Sequence, residues 1–280
     1  MTVLSLFDGI SCGQLALKRA GVHVDRYYAS EIEPNAIKVT QHNFPDTIQL
    51  GDVRNINASD LPKIDLLIGG SPCQTFSIAG NKTGFDGKSG LFYEFLRLLK
   101  EVHPTYFLLE NVKMRKDWRD EITKELNVMP ILINSNLVSA QDRERLYWTN
   151  IPGDGFLGEV TQPNDKHIYL RDIVEQENRV WLPILPWTQK VWGTKKKIDT
   201  LRKISDRKSF CLTTNKSHPK NYYLSPDKTR LTKLTSKEAE ILQTVPEGYT
   251  SCITEGAAFS ALGNGWTVDV IAHIFKGLNQ

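Results

Sequence analysis

Over its first 150 residues the chain alternates short apolar runs with helical stretches, and this alternation limits the fold more than any other feature. The apolar runs are Val3–Phe7, Tyr27–Ser30, Thr47–Leu50, Ile64–Ile68, Thr105–Leu109, Pro130–Ile133 and Arg145–Thr149. Helical patterns lie between them near Gly13–Ala20, Pro34–Asn43, Gly90–Glu101 and Asp117–Leu126. Pro34 suits the first turn of a helix, where its missing N–H is not needed. Strand and helix in repeated alternation predict an α/β fold with a doubly wound, mostly parallel sheet. Such sheets gather ligands and chemistry at the carboxyl ends of their strands.

After Asn150 the pattern degrades. "IPGDGFLGEVTQPND" reads as turns and loop. Residues 181–230 carry 12 Lys+Arg against 3 Asp+Glu, a local charge of +9 that leaves −6 for the rest of the chain. Trp181, Trp187, Trp192, Phe210, Tyr222 and Tyr223 are interleaved with those cations. This segment predicts a second, smaller domain of short strands and long loops, with either a solvated basic face or a polyanion-binding one. "TSKEAEILQTVPEG" predicts a helix with Thr235 or Ser236 as its N-cap, Glu238 in its first turn and Pro246 beyond its end. "GWTVDVIAHIFKGLNQ" is apolar at helical spacing and is expected to pack on the first domain. The expected divisions are therefore 1–150, 151–254 and 255–280.

No run approaches the ~20 apolar residues of a membrane span. The opening "MTVLSLF" reads as a core strand rather than a leader, so no signal peptide is expected. Cys12, Cys73, Cys211 and Cys252 are far apart, without CxxC or zinc spacing; no metal and a reduced, cytoplasmic setting are expected.

"LSLFDGISCGQLALKRAG" reads as strand, tight turn, helix. Gly9 and Gly13 allow close backbone approach to a ligand, and the helix start offers free N–H groups. Glu31, 22 residues after Gly9, ends the second candidate strand, where a carboxylate suits a ribose hydroxyl. Asp52 ends the third and suits an exocyclic amine, while Asp8 suits the charged end of the same ligand. Each acid has a plainer reading as a helix cap or surface charge. Together they point to a nucleoside cofactor.

"IDLLIGGSPCQTFSIAG" sets Cys73 just past a buried-looking strand, as either a small core residue or a nucleophile on the ligand edge. Gly80, Gly84, Gly87 and Gly90 make a closing loop plausible there. "YFLLENVKM" places Glu110 and Asn111 just past the fifth strand, where a carboxyl can act as an acid. "SAQDRERLYW" sets Arg143 and Arg145 two residues apart; in an extended stretch they would point the same way, near the thiol. The plain reading of "DRER" is a solvated charge run.

Taken together, these segments resemble the cytosine carbon-5 DNA methyltransferases. "SLFDGISCG", "GGSPCQTFS", "ENV", "QDRER", "RLTKLTSKEAEILQTVP" and "ALGNGWTVDVIAHIF" follow in that family's order along nearly the whole chain. Residues 151–227 match least, where the family keeps its variable target-recognition region. "SLFDGIS" and "GNGWTV" are similar to the animal de novo branch, "PCQTFS" and "QDRER" to the bacterial and phage restriction-modification branch. The resemblance implies a Rossmann-like catalytic domain over 1–150, a target-recognition domain over 151–254, and a returning segment over 255–280. It implies S-adenosyl-L-methionine as cofactor, held by Phe7, Asp8, Gly9, Ile10, Gly13, Glu31, Ile32, Asp52, Val53, Asn264, Gly265 and Trp266. Cys12 stands where the family commonly has Gly, Ala or Thr, and Gly265–Trp266 replaces its commoner wording. It also implies that a flipped-out cytosine meets Cys73 as nucleophile at carbon 6 and Glu110 at ring nitrogen 3. Arg143 and Arg145 would hold the base carbonyl and the cysteine loop, with Asn111 orienting that loop. The partner expected is double-stranded DNA, with Lys195, Lys196, Lys197, Arg202, Lys203, Arg207 and Lys208 on its phosphates and the chain a monomer. The alternatives are a transfer-RNA cytosine methyltransferase and a catalytically silent DNA-binding homologue. The last would be expected to lack the nucleophile or the acid, and both are present.

Overall fold

The computed structural model describes residues 1–72, 90–175, 179–184, 202–204, 207–225, 227 and 229–280, without the side chains of Arg202, Lys203 and Pro219. Cys73, Gly80, Gly84, Gly87, Trp187, Trp192 and Lys195–Lys197 lie outside the described residues. The chain forms two compact units. The first comprises Met1–Asn134, Glu144–Gln162 and Val268–Gln280; the second comprises Ser135–Arg143 and Pro163–Thr267.

The first unit holds a seven-stranded sheet: β1 (Thr2–Leu6), β2 (Arg26–Ser30), β3 (Ile48–Gln49), β4 (Leu66–Gly70), β5 (Tyr106–Val112), β6 (Ile131–Asn134) and β7 (Glu144–Thr149). Their order is β3-β2-β1-β4-β5-β7-β6. The pairs from β3 through β5 are parallel, while β7 runs antiparallel to both β5 and β6. The order reverses between β1 and β4, and ligand crevices form at the carboxyl ends beside such a reversal. The helices are α1 (Cys12–Ala20), α2 (Pro34–Asn43), α3 (Leu91–Val102) and α4 (Lys116–Leu126). Leu4, Leu6, Leu67 and Leu109 from the strands meet Phe92, Phe95 and Leu96 of α3 and Trp118 and Ile122 of α4 in one buried core. Parallel strands covered on both faces need apolar residues throughout, hence runs such as Leu66–Ile68. The strands keep the predicted positions with small boundary shifts. One shift matters: β5 extends to Val112, so Glu110 and Asn111 lie within the strand and not past it.

The second unit contains a four-stranded sheet of β8 (Leu182–Pro183), β9 (Arg202–Lys203), β10 (Tyr222–Leu224) and β11 (Arg230–Lys233), ordered β8-β11-β10-β9. A short helical turn, α5 (Leu170–Ile173), precedes it and α6 (Ser236–Leu242) follows. Thr235 caps α6 in a reciprocal capping box with Glu238, as the sequence predicts. Helix α7 (Glu255–Asn264) was not expected. "EGAAFSALGN" shows little apolar periodicity, so its helical form is written in its Thr254 cap and its contacts. A Cβ on Gly263 would come within 2.8 Å of the Thr213–Thr214 backbone, so this helix must carry a bare Cα there. The segment 255–280 is divided: α7 belongs to the second unit, while α8 (Val268–Phe275) packs on α1 in the first and is tied to it by Arg19–Asp269 at 2.6 Å.

Candidate active site

At the carboxyl end of β1 the backbone takes an unusual path. Phe7, Gly9 and Ser11 all have left-handed φ, at 56°, 61° and 54°. Such a conformation costs roughly 1 kcal/mol or more at a non-glycine residue and persists only where neighbours enforce it. Here they do. The Glu31 carboxylate, at the end of β2, accepts the Gly9 N–H at 2.7 Å, the Ile32 N–H at 2.7 Å and the Glu33 N–H at 2.8 Å. The Thr40 hydroxyl of α2 reaches the Gly9 carbonyl at 3.3 Å. The Asp8 carboxylate accepts the Tyr27 hydroxyl at 2.8 Å and the Ser11 hydroxyl, and Ser5 also bonds to it. Burial pushes the Asp8 carboxyl up to about 6, against the pull of these three hydroxyls. Asp8 therefore faces inward as a brace of the turn.

Glu31 is fixed by three N–H donors, and a carboxylate has about four acceptor positions, so it keeps room for a ribose hydroxyl. Beside it Ile32 is 67% exposed, an apolar side chain left open at the ligand edge. An acid beside an open apolar surface suits a sugar and the face of a base. Asp52 caps the turn Val53–Asn55 and pairs with Arg54, which holds its carboxyl down at about 2. That is the capping reading of Asp52, and it leaves an ionised carboxylate at the end of β3. The side chains of Val53 and Ile10 are buried, so a ligand would meet their backbone only.

The reaction edge is built by three adjacent strands. Gly70 of β4 pairs with Glu110 of β5. Arg145, near the start of the antiparallel β7, pairs with Val112, which puts it on the same face as Glu110 and diagonal to it. Its Nε lies 2.9 Å from Glu110 Oε1, with both side chains at most 15% exposed. Asn111 points to the opposite face. Its amide donates to Ser71 Oγ at 2.9 Å and its carbonyl accepts the Val112 N–H at 2.8 Å. Ser71 is the second residue before Cys73, so Asn111 anchors the exit of β4.

The two arginines take different partners. Arg143 precedes β7 and belongs to the second unit. Its guanidinium donates to the Gly265 carbonyl at 2.8 Å, the Gly263 carbonyl at 3.2 Å and Cys211 Sγ at 3.3 Å. The reason is a buried polar network that sequence reasoning missed. Gln141 donates to the Leu242 carbonyl and to Gln243 Oε1; Thr267 also donates to Gln243 Oε1; Gln243 donates to the Leu262 and Gly265 carbonyls. It ties Arg143 and Gln141 to residues 242–243 and 262–267 of the same unit. Asn264, Gly265 and Trp266 lie in this same unit, with Asn264 exposed and Trp266 half-buried.

Lys208 corrects another expectation. Its side chain is 12% exposed, its ammonium donates to the Asn136, Ser139 and Ile168 carbonyls at 2.6, 3.2 and 2.6 Å, and burial lowers its pKa. It joins three segments of the second unit and is not a phosphate contact. Arg207 is exposed. Arg202 and Lys203 form β9 beside β10. Among the described residues no group of three His, Cys, Asp or Glu could hold a metal, and no helix is long and apolar enough to cross a membrane.

Residues 1–168 match the family model described as C-5 cytosine-specific DNA methylase. The orphan methyltransferase M.SPRI of Bacillus phage SPR is 35% identical over 251 residues, covering 82% of this chain and 53% of that protein. The type II methyltransferase M.NgoBV of Neisseria gonorrhoeae is 32% identical over 196 residues, covering 61% and 46%. The chain thus spans about half the length of the curated relatives it matches. Among solved structures, the Entamoeba histolytica methyltransferase EhMeth superposes with a TM-score of 0.77 at 16% identity, covering 100% of this chain and 99% of that one, which establishes a shared fold.

Proposed function

Because the chain belongs to the C-5 cytosine-specific DNA methylase family, we propose that it methylates carbon 5 of cytosine in double-stranded DNA, with S-adenosyl-L-methionine as methyl donor. The observation that carries this reading is the Glu110–Arg145 pair, set on the strand beside the one that leads into Pro72–Cys73. A buried acid paired with a guanidinium suits a neutral heterocycle that gains charge during reaction.

The cytosine must leave the duplex stack for its ring carbons to be reached. The Cys73 thiolate adds to carbon 6, and the ring π electrons move toward ring nitrogen 3, where Glu110 supplies a proton. Arg145 holds the Glu110 carboxylate in place and faces the base carbonyl. Carbon 5, now electron-rich, forms the new carbon–carbon bond. When bound, S-adenosyl-L-methionine would supply an electrophilic sulfonium methyl to that carbon, leaving a neutral thioether. A base, here a water, removes the carbon-5 proton, Cys73 is expelled as thiolate, and ring nitrogen 3 returns its proton to Glu110. Asn111 keeps the Ser71–Pro72 exit in position through these steps. The cofactor's ribose would be held by Glu31, its base face by Ile32, and its remaining polar groups by the N–H groups of the Phe7–Gly13 turn and by Asp52.

Phosphates of the duplex would meet Lys195–Lys197, Arg202, Lys203 and Arg207, giving salt-dependent affinity. The chain would work as a monomer in the cytoplasm of a prokaryotic cell or a phage-infected host.

Bisulfite sequencing of DNA incubated with the protein and S-adenosyl-L-methionine tests the reading, with Cys73→Ser as control. Methyl-cytosine in one recurrent context, absent from the control, is the expected result. Unmodified DNA together with methylated transfer RNA would make RNA the substrate. Neither product from a folded, cofactor-binding protein would mark it as catalytically silent.

A further inference from the structure

We propose that Tyr27 is a positioning residue for the cofactor turn, acting through the hydroxyl–carboxylate network that joins it to Asp8 and Ser11. The inference rests on the cofactor reading above. Tyr27 is 2% exposed and lies at the second position of β2, three residues before the strand end. Its hydroxyl is spent on Asp8 at 2.8 Å. Asp8 in turn takes the hydroxyl of Ser11, and Thr40 stands 3.2 Å behind Ser11. Ser11 is one of the two non-glycine residues of the turn with left-handed φ. Its hydroxyl makes no cap bond to its own helix and is used to hold that conformation.

An ionised carboxylate accepts from every donor around it. Once protonated, it must donate at one oxygen, and one of the hydroxyls loses its acceptor. The turn then loses a restraint on Ser11, and the N–H groups of residues 9 to 13 lose their fixed directions. Cofactor affinity should accordingly follow the charge on Asp8. The groups facing Asp8 are few. Among the described residues, Ser5 comes from β1, Ser11 from the turn into α1, Tyr27 from β2 and Glu31 from the end of β2, the last being the charge that acts on it. Tyr27 favours the ionised form, since hydrogen bonds to a carboxylate stabilise its charge. Removing that hydroxyl should let the turn loosen at higher pH.

The test is calorimetric binding of S-adenosylhomocysteine between pH 5.5 and 8.5 to the wild-type chain, Tyr27→Phe and Ser11→Ala, with thermal melts alongside. Wild-type affinity is expected to fall on the acid side of about pH 6, approaching tenfold per unit. In Tyr27→Phe the midpoint is expected about one pH unit higher, the size of one hydrogen bond to a charged group. The two affinities should converge above pH 8. Ser11→Ala should shift the midpoint the same way, and it decides the matter if Tyr27→Phe does not fold. Equal midpoints, or a loss of affinity that is the same at every pH, would overturn the inference, because a merely structural role predicts the second. If the wild-type chain binds with no acid limb, the inference fails and the cofactor reading stands. If it binds at no pH, the cofactor reading fails and takes the inference with it.

Discussion

Asp8 gives a stability prediction whose sign is opposite to that of carboxylates paired with a cation. The folded chain raises this group from 3.8 to about 6. Between those values the folded state keeps a proton that the unfolded state has released, so stability decreases as pH rises through the window. Above pH 6 the ionised group costs about 3 kcal/mol, taking 1.36 kcal/mol for each of roughly two pH units. Asp8→Asn removes the charge and keeps the shape. Its carbonyl still accepts one hydroxyl, and its amide donates to another. The variant is expected to be more stable than wild type by up to about 3 kcal/mol at pH 8, and by almost nothing at pH 4. Urea unfolding at pH 4, 6 and 8 reads this directly, and a melting point raised by several degrees at pH 8 should accompany it. A gain that is the same at all three pH values would show that the carboxyl is not desolvated as described. A loss at pH 8 would show that the ionised form is preferred in the fold.

Three further substitutions bear on the site and its supports. Lys208→Met should lower stability by about 2–4 kcal/mol, as three carbonyls lose their donor, and leave the salt dependence of DNA binding as it was; Arg207→Ala should reduce that slope by about one. Filter binding across a salt series separates the two. Asn111→Ala should cost about 1–3 kcal/mol in unfolding measurements, because Ser71 is left buried without its partner. Glu110→Gln should reduce methyl transfer at least about a hundredfold while keeping a carbonyl acceptor for Arg145, whereas Glu110→Ala, which removes the acceptor as well as the charge, should lower stability further, by about 1–3 kcal/mol. Radiolabelled methyl transfer and thermal melts, read together, decide between loss of acid and loss of fold.

The first unit was largely legible because parallel strands announce themselves. Leu66–Ile68 is apolar at every position and Val3–Leu6 at all but Ser5, as a sheet covered on both faces requires. Glu31 and Glu110 were legible for a related reason, as acids at or near the end of such runs. Arg143 was misread because spacing in sequence says nothing about where a strand starts. The two arginines are separated by one residue, and β7 begins on that residue, Glu144. Lys208 was misread because a count of charges does not reveal which cations face carbonyl groups. Helix α7 was missed because its small residues leave no periodic stripe, and its requirement for Gly263 comes from a distant segment. Ser11, Tyr27 and Thr40 escaped notice for a simple reason: a hydroxyl carries no charge and no pattern, so its partner has to be seen.

The antiparallel course of β7 has a consequence for how this protein can vary in length. A parallel neighbour would bring its last residues to the edge where Glu110 stands; β7 brings its first, and Arg145 reaches Glu110 by alternation along the strand. One residue inserted between Arg145 and Trp148 would turn the guanidinium to the other face while the rest of the strand kept its place. One residue inserted into the 150–162 loop would move nothing at that edge. Length changes should therefore be tolerated after Thr149 and excluded from the strand, and a deletion scan across 144–162 would map that boundary to the residue.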